Sequence, residues 1–331
     1  MKKWIDALMA NPKRVAVPIM THPGIDYIGK SVREAVTDGE VHAAAIKALA
    51  DRYPSAASTV IMDLTVEAEA FGAKILIPEH EIPTVTERLV SDAASVEALQ
   101  IPSLEVGRVP EFLKANRLAV EQITDRPVLA GCIGPFSLAG RLYDMSEIMV
   151  AIYIEPDVIM ALLDKCTAFL IDYCKAYRAA GANGVAIAEP LTGLLSPNLA
   201  KEFSHPYVRR LIEAVQTDDF AVIYHNCGDN VALMAPDIYT LGAMGYHFGD
   251  AISMTDVLPG APEDALIMGN VSPSVQFCNG TPASITEATH AVMEACCKYP
   301  NYLVSSGCDI PPISSWDNIE AFFAAAESFY C

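Results

Sequence analysis

A histidine and a cysteine two positions apart, His225 and Cys227, follow the apolar run Ala221-Val222-Ile223-Tyr224. Side chains two positions apart in an extended chain point the same way, so an imidazole and a thiol can face one ion. A second thiol, Cys308, follows another apolar run. One nitrogen and two sulfur donors are a typical zinc set, and three protein ligands leave a fourth position open for catalysis. The pattern predicts a zinc site formed by His225, Cys227 and Cys308.

Sulfur donors also indicate what such a site would do. They disfavour magnesium, calcium and manganese. Two thiolates cancel the charge of zinc, so a substrate thiol that joined them would lose its proton at neutral pH and stay nucleophilic. Cys132, near another apolar run, is a rival ligand ranked below Cys308. The site therefore predicts activation of a thiol.

The remaining cysteines indicate no disulfide framework. The chain has nine cysteines, an odd number without regular spacing, which favours reduced thiols or metal ligands. Four of them fall in helical patterns, where core packing is expected: Cys166, Cys174, Cys296 and Cys297. Cys331 is terminal, and we predict no role for it.

Apolar, strand-length runs alternate with helical stretches, which is typical of a parallel sheet with crossover helices. Eight such runs predict an α/β fold of the (β/α)₈ TIM-barrel type: Arg14–Met20, Thr59–Leu64, Pro127–Ile133, Gly184–Glu189, Phe220–His225, Gly245–Gly249, Ala265–Asn270 and Tyr302–Ser306. In such a barrel the active site lies at the carboxyl ends of the strands. The three predicted ligands fall at such ends.

The stretches between the runs predict helices and one insertion. Helices are expected over Pro156–Ala180, Asn198–Val215 and Thr281–Lys298, the last opened by a Thr-Pro pair. Residues 65–126 are too many for one helix and loop, so we expect extra helices or a β-ribbon over part of the barrel mouth. We predict one domain over residues 1–331.

The charge balance excludes several classes of partner. The chain has 22 basic and 41 acidic residues, a net charge of −19, which repels nucleic acid and anionic membrane surfaces. The longest apolar stretches are strand-length, so no membrane segment is expected. The start Met1-Lys2-Lys3-Trp4-Ile5-Asp6 lacks the apolar region of a signal peptide, so a cytoplasmic protein is expected.

Several segments resemble the uroporphyrinogen decarboxylase superfamily, and within it the corrinoid-dependent methyltransferases typified by methylcobamide:coenzyme M methyltransferase. The His-x-Cys pair with a distant cysteine is the most specific feature of the likeness, which extends nearly end to end. The matching segments are Val60–Asp63 with Glu67–Ala73, Ile133–Ser137, Ala188–Pro190, Leu195–Pro197, His225–Gly228, Gly269–Pro273 and Gly307–Pro311.

The resemblance implies a reaction and a partner. In that family the histidine and two cysteines bind Zn²⁺, and the ion holds the thiol, such as coenzyme M, that attacks a methyl group on cobalt. A related reaction loads the corrinoid from a small methyl donor. The chain has no Asp-x-His-x-x-Gly segment, so the methylcorrinoid is expected on a separate corrinoid-binding protein. The thiol, the direction of transfer and the oligomeric state, a homodimer included, stay open.

The resemblance also suggests further site residues. Cobalamin-independent methionine synthase looks similar and has an acidic zinc ligand, for which Asp250 is the matching candidate. Glu189 is a second candidate, either for the fourth position or for orienting substrate. The remaining substrate-binding candidates are His22, Tyr143, Asn226, Asn270 and Ser196.

Two alternatives belong to other classes. A metal-free decarboxylase would use Asp63 as an acid, but its relatives carry arginine after the first strand, and Val17–Ile25 contains none. Binding an octa-carboxylate without those cations is implausible. A non-catalytic binding barrel would hold zinc in a closed four-ligand site.

Overall fold

The computed structural model describes residues 1–330 and contains a seven-stranded parallel sheet within that range. Cys331 lies outside the described residues. The sheet curls in the order β1, β4, β5, β6, β7, β8, β9. Its strands are β1 (Ser58–Thr59), β4 (Val128–Ile133), β5 (Gly184–Ala188), β6 (Ala221–Asn226), β7 (Gly245–Phe248), β8 (Leu266–Val271) and β9 (Tyr302–Ser306).

The predicted first strand, Arg14–Met20, is extended but is not a regular strand, which corrects the sequence-based prediction. The segment nevertheless bridges the two edge strands. The Val17 N–H donates to Val304 O of β9 at 3.0 Å, and the Ala56 N–H, just before β1, donates to Ala16 O at 2.9 Å. Pro18 has no N–H, so a continuous ladder is impossible. The α/β barrel is confirmed, with this closing segment (residues 14–20) in place of an eighth strand.

Side-chain hydroxyls replace the missing ladder beyond Pro18. The Ile19 N–H donates to Ser306 Oγ at 3.1 Å, and the Met20 N–H donates to Thr59 Oγ1 at 3.2 Å. Because buried backbone donors require partners, these two hydroxyls complete the barrel where strand pairing cannot.

Helices surround the sheet and fill the predicted insertion. The insertion contains both helices and the short antiparallel pair β2 (Ile75–Leu76) and β3 (Thr84–Val85). The α-helices within residues 1–330 are α1 (Lys2–Ala10), α2 (His22–Tyr27), α3 (Val32–Thr37), α4 (Gly39–Arg52), α5 (Val66–Ala70), α6 (Ala93–Ala98), α7 (Val109–Gln122), α8 (Pro135–Tyr143), α9 (Met145–Ile154), α10 (Pro156–Ala179), α11 (Pro197–Phe203), α12 (His205–Val215), α13 (Val231–Ile238), α14 (Met254–Val257), α15 (Pro282–Cys296) and α16 (Trp316–Ser328).

One predicted helix is two. Asn198–Val215 was expected to be continuous, but the structure ends α11 at Phe203 and begins α12 at His205. Pro206 accounts for the break, because it has no N–H to donate to the preceding turn, whereas in the first turn of α12 that missing N–H needs no acceptor. The start of α15 agrees with the prediction, since Thr281 caps it and exchanges hydrogen bonds with Ser284. Among the described residues, no helix is long and apolar enough to cross a bilayer.

The apolar core consists of two clusters, one inside the barrel and one between the strands and the surrounding helices. Leu129, Ala186, Ile223 and Leu303 pack inside the barrel with Ile5 of α1. The outer faces of the strands pack against the helices in a larger cluster. The Lys2 N–H of α1 donates to Asp218 O, ahead of β6, at 2.8 Å, so α1 covers the amino-terminal end of the strands. The carboxyl-terminal end is left for the site.

The cysteines correct one expectation. Cys297 was expected to be a packing residue in a reduced chain, but it is disulfide-bonded. Cys166, Cys174 and Cys296 are buried and free, as expected. Cys132 lies on β4 with its sulfur 3.8 Å from that of Cys174, in the core and away from the other predicted ligands.

Candidate metal centre

His225 lies on the interior face of β6, at its carboxyl end. Ala221 and Ile223 pack in the barrel interior, whereas Val222 and Tyr224 pack in the outer core. Because side chains alternate along a strand, His225 faces the barrel axis. The imidazole therefore reaches the mouth of the barrel, where the strand prediction placed the site.

The structure brings the three predicted ligands together. One ligand atom from each of His225, Cys227 and Cys308 lies within 4.8 Å of the other two. The sulfur of Cys308 is 3.6 Å from His225 Nε2. The cysteines also hydrogen-bond to each other, and acceptance of that bond lowers the pKa of Cys227. The same bond and burial raise the pKa of Cys308.

Glycines let the ligand-bearing loops approach closely. A Cβ at Gly249 would lie 2.5 Å from Cys227 Cα, and a Cβ at Gly193 would lie 2.5 Å from Gly228 Cα. Real Cβ atoms do not approach backbone so closely. The turn that carries Cys227 is therefore packed against the β5 and β7 loops without room for side chains.

The other nitrogen of His225 faces a second histidine. His225 Nδ1 lies 2.8 Å from Nδ1 of His247 on β7 and 3.3 Å from the His247 carbonyl oxygen. His247 Nε2 is 2.7 Å from Ser305 Oγ, which is 2.9 Å from Val17 O in the closing segment. Burial lowers the pKa of His247 far below its usual value, and the neighbouring His225 lowers it further. His247 is therefore neutral.

A cavity of about 250 Å³ opens over the ligands. Most of its wall is apolar, and part of it comes from Ile82 and Pro83, which precede β3 in the insertion. The other apolar lining residues are Met62, Leu64, Ala188 and Pro190. Its polar lining consists of Thr65, His22, Arg141 and Asp309 besides the three ligands. The cavity is the size of a small molecule, and its lining is largely apolar.

Two basic side chains line this cavity. His22 Nδ1 is 2.7 Å from Asp309 Oδ2. Burial opposes protonation of His22, but the charge and hydrogen bond of Asp309 outweigh it and raise the pKa of His22. Arg141, on the last turn of α8, makes no hydrogen bond or ion pair within the described part of the chain, although burial lowers its pKa. Its guanidinium is available to a ligand.

Glu189 does not join the three ligands. Its carboxylate accepts hydrogen bonds from the backbone N–H groups of Phe136 and Ser137, at 2.9 and 3.1 Å, in the first turn of α8. The hydroxyls of Ser137 and Thr192 donate to it at 2.8 and 2.9 Å. Burial raises its pKa to about 6 against these bonds. The side chain fastens α8 to the end of β5.

The other two acidic candidates also lie outside the ligand group. Asp250 is exposed, and its charge opposes ionisation of Cys227, but within residues 1–330 it is not part of the gathered set. Asp63 accepts from the Thr65 N–H and hydroxyl through Oδ1, at 3.0 and 2.6 Å, and from Arg108 through Oδ2. Asp63 is therefore held in a buried ion pair.

Of the five substrate-binding candidates, His22 lines the cavity and the other four make local structural bonds. The Asn226 side chain accepts from the Gly228 N–H at 3.0 Å, which shapes the turn of Cys227. The Asn270 amide donates to Gly249 O and Ile252 O, at 3.0 and 2.7 Å. Ser196 caps α11, and the Tyr143 hydroxyl donates to Ser91 O at 3.0 Å.

Sequence reasoning did not single out Arg141, Asp309 or His247. Arg141 sits in a helix, where a solvated arginine is the usual interpretation. Asp309 directly follows a predicted ligand and lies in the matching segment Gly307–Pro311, and both were available signals. His247 is two positions after Gly245 and so lies on the same face of β7. Only the pairing of β6 with β7 brings it beside His225.

The sequence matches the model of the uroporphyrinogen decarboxylase (URO-D) family over residues 3–329. The chain belongs to this family. One similar protein is the methylcobamide:CoM methyltransferase MtbA of Methanosarcina mazei. It is 28% identical over 276 residues, which cover 82% of this chain and 79% of that protein. MtaA of Methanosarcina barkeri, also a methylcobamide:CoM methyltransferase, is 27% identical over 343 residues, which cover 99% of this chain and 97% of that protein.

A solved structure supports the same branch of the URO-D family. A methyltransferase from Methanosarcina mazei matches with a TM-score of 0.88 and 26% identity, covering 99% of this chain and 98% of that one. The resemblance to the methyltransferase branch, inferred from the motifs, is confirmed.

Proposed function

We propose that this URO-D family member is a methyltransferase that moves a methyl group from a corrinoid on a separate protein to a small thiol such as coenzyme M. The gathering of His225, Cys227 and Cys308 at the floor of the cavity carries the proposal. The names of the relatives in the methyltransferase branch support the reaction class.

The donor set suits zinc. Two sulfurs and one imidazole nitrogen match the preferences of Zn²⁺, and within residues 1–330 the group has three members, which favours an open fourth position. A zinc ion there would lower the pKa of an incoming thiol and hold its sulfur as a nucleophile at neutral pH. His225, Cys227 and Cys308 would hold the ion.

The cavity residues position the thiol and exclude water. The apolar wall, which includes Met62 and Ile82, shields the sulfur. The unpaired guanidinium of Arg141 offers a charge to an acidic group at the other end of the molecule, as in a thiol such as coenzyme M. Orientation of the sulfur toward the barrel mouth is what such binding contributes to the rate.

The step itself is a methyl transfer in line. The thiol releases its proton, its sulfur forms a bond to the methyl carbon, and the cobalt–carbon bond breaks with both electrons remaining on cobalt as Co(I). The reverse step, loading the corrinoid from a methyl donor, would use the same groups. The names of the similar proteins favour transfer toward the thiol.

Two alternatives have less support. A decarboxylase acid needs an accessible carboxyl group, and both oxygens of Asp63 are bonded to Thr65 and Arg108. A purely structural zinc site needs a fourth protein ligand, and the residues described here supply three.

The first test is metal content. We expect about one zinc per chain in protein purified without chelators, as in other three-ligand sites, and loss of most of it in Cys308→Ala. Cys278→Ala is the matched control, because Cys278 is also partly buried but bonds Ser314 instead. Elemental analysis gives the content. Loss of methylcobalamin absorbance with coenzyme M then tests the reaction.

Two results would overturn the proposal. Wild-type protein that takes up no zinc when supplied with it would exclude thiol activation at this site. Zinc-loaded protein that transfers no methyl group from methylcobalamin to any small thiol, while retaining its fold, would exclude the reaction.

A further inference from the structure

We propose that His247 and Ser305 are positioning residues for the metal centre, which fix the tautomer of the His225 ligand so that its Nε2 lone pair faces the two cysteines. The inference rests on the zinc site of the proposed function. Neither His247 nor Ser305 lines the cavity, so neither is expected to touch substrate.

The direction of the hydrogen bonds follows from one group that can only accept. Val17 O, 2.9 Å from Ser305 Oγ, has no hydrogen, so the Ser305 hydroxyl donates to it. Its single hydrogen is then used, and Ser305 Oγ must accept from His247 Nε2, 2.7 Å away. With its hydrogen on Nε2, His247 has a lone pair at Nδ1, as required by the contact with His225 Nδ1, which also faces the acceptor-only His247 carbonyl oxygen.

The same logic extends to the ligand. His247 Nδ1 accepts from His225 Nδ1, 2.8 Å away, so the hydrogen of His225 is on Nδ1. The His247 carbonyl oxygen, 3.3 Å from the same nitrogen, is a second acceptor-only group and requires the same tautomer. His225 Nε2 therefore carries a lone pair toward Cys308, 3.6 Å away.

Burial makes this arrangement decisive. His225 and His247 are each 2% exposed and Ser305 is fully buried, so water does not replace a lost partner. Metal-binding histidines generally donate their second N–H, and loss of that partner weakens metal affinity by about 10- to 100-fold. Here the relay spans β6, β7, β9 and the closing segment.

The experiment compares His247→Leu with His247→Asn. Leucine removes the acceptor, whereas the Asn carbonyl can take the place of Nδ1. We expect His247→Leu to lower the zinc affinity about tenfold, near the lower end of the usual range, because the backbone carbonyl remains. His247→Asn should recover much of the loss. His290→Leu, far from the site on α15, is the matched control.

The measurements are chelator competition for Zn²⁺ and the absorption spectrum of the Co²⁺-substituted chain, and neither depends on activity. The ligand-field bands should shift in His247→Leu and not in His290→Leu. Ser305→Ala should shift both readouts in the same direction by a smaller amount. A folded His247→Leu variant with wild-type zinc affinity and an unchanged cobalt spectrum would overturn the inference.

A second measurement covers a variant that does not fold. Two-bond ¹H–¹⁵N correlation of histidines in the metal-free wild-type chain reads each tautomer directly. We expect hydrogen on Nδ1 of His225 and Nε2 of His247, and hydrogen on Nε2 of His225 would contradict the relay. Zinc binding without methyl transfer would contradict only the proposed function. The absence of zinc binding would overturn both the proposed function and the positioning role of His247.

Discussion

At the scale of single residues, the cavity combines two kinds of polar group. Soft sulfur ligands lie at its floor, and the unpaired Arg141 lies in its otherwise mostly apolar wall. A partly buried guanidinium costs desolvation energy, which the charge of Asp63 offsets in part and an anionic group of a substrate would offset further. Arg141 is thus the residue that we expect to distinguish thiols.

Arg141→Gln tests this role. A lost charge-assisted contact costs about 1.5–3 kcal/mol, so KM for an anionic thiol should rise about 10- to 100-fold. The KM for a neutral thiol such as mercaptoethanol should change little. Steady-state kinetics with methylcobalamin measure both. Arg117→Gln, at an exposed ion pair with Glu121, is the control, and equal effects on both thiols would contradict the role.

A buried carboxyl group at residue scale predicts a pH dependence. Burial raises the pKa of Glu67 from 4.5 to about 8, although the Ile133 N–H donates to it. Between pH 4.5 and about 8, the folded state holds a proton on Glu67 that the unfolded state has lost. The contribution of this group to the free energy of unfolding is therefore complete below pH 4.5 and is lost as the pH rises through about 8.

Glu67→Gln should remove this dependence, because the amide keeps the acceptor oxygen and does not ionise. The gain in unfolding free energy over wild type should be larger at pH 8 than at pH 5, by more than about 1 kcal/mol. Urea denaturation at both pH values measures it. Glu121→Gln, on an exposed face of α7, is the control. An equal effect at the two pH values would disprove the assignment.

At the scale of secondary-structure elements, the closing segment is the least regular part of the barrel. It is joined to β9 and to the region of β1 by two backbone bonds and by the hydroxyls of Thr59, Ser305 and Ser306. Such side-chain bonds are expected to matter, because the backbone groups they satisfy are buried. The relay from His225 ends on this segment, so barrel closure and the metal centre are connected.

Thr59→Val removes one of these hydroxyls without changing the shape of the side chain. The Met20 N–H is left without its acceptor, and we expect a loss of about 1–3 kcal/mol in unfolding free energy. Thr86→Val is the control, since the exposed Thr86 hydroxyl donates only to Lys74 O in the hairpin. Equal denaturation midpoints for the two variants would argue against this contribution.

Much of this arrangement could be predicted from the sequence. The spacing of His225 and Cys227 and the position of Cys308 after β9 indicated the ligand group, since strand alternation is local information. The irregular first strand followed from Pro18, which was visible, but its side-chain partners are distant in sequence. His247 and Arg141 depend on which strands and helices become neighbours, which local patterns do not specify.

At the scale of the whole molecule, a metal ion at the mouth would connect distant parts of the chain. His225 lies at the end of β6 and Cys227 directly after it, and Cys308 follows β9, so one ion would join segments about a quarter of the chain apart. Ligands that bind only the folded state stabilise it by mass action. The ion is therefore expected to contribute to stability as well as to chemistry.

Removal of zinc tests this contribution. Free zinc at about 1,000 times its Kd stabilises the fold by about 4 kcal/mol, so chelation should lower the Tm by several degrees. Differential scanning calorimetry measures the change, and re-addition of zinc should reverse it. Cys308→Ala should show no response to chelator. A wild-type Tm that does not respond to chelator would contradict the prediction.

The contact between Gly193 and Gly228 has a practical consequence for redesign. A Cβ on either glycine would enter the backbone of the other loop, so libraries that alter acceptor preference should keep both positions constant. Diversity is better placed at Ile82 and Pro83, which line the cavity from the insertion and carry none of the ligands. Directed evolution could then select for new methyl acceptors while the ligand-bearing turns stay unchanged.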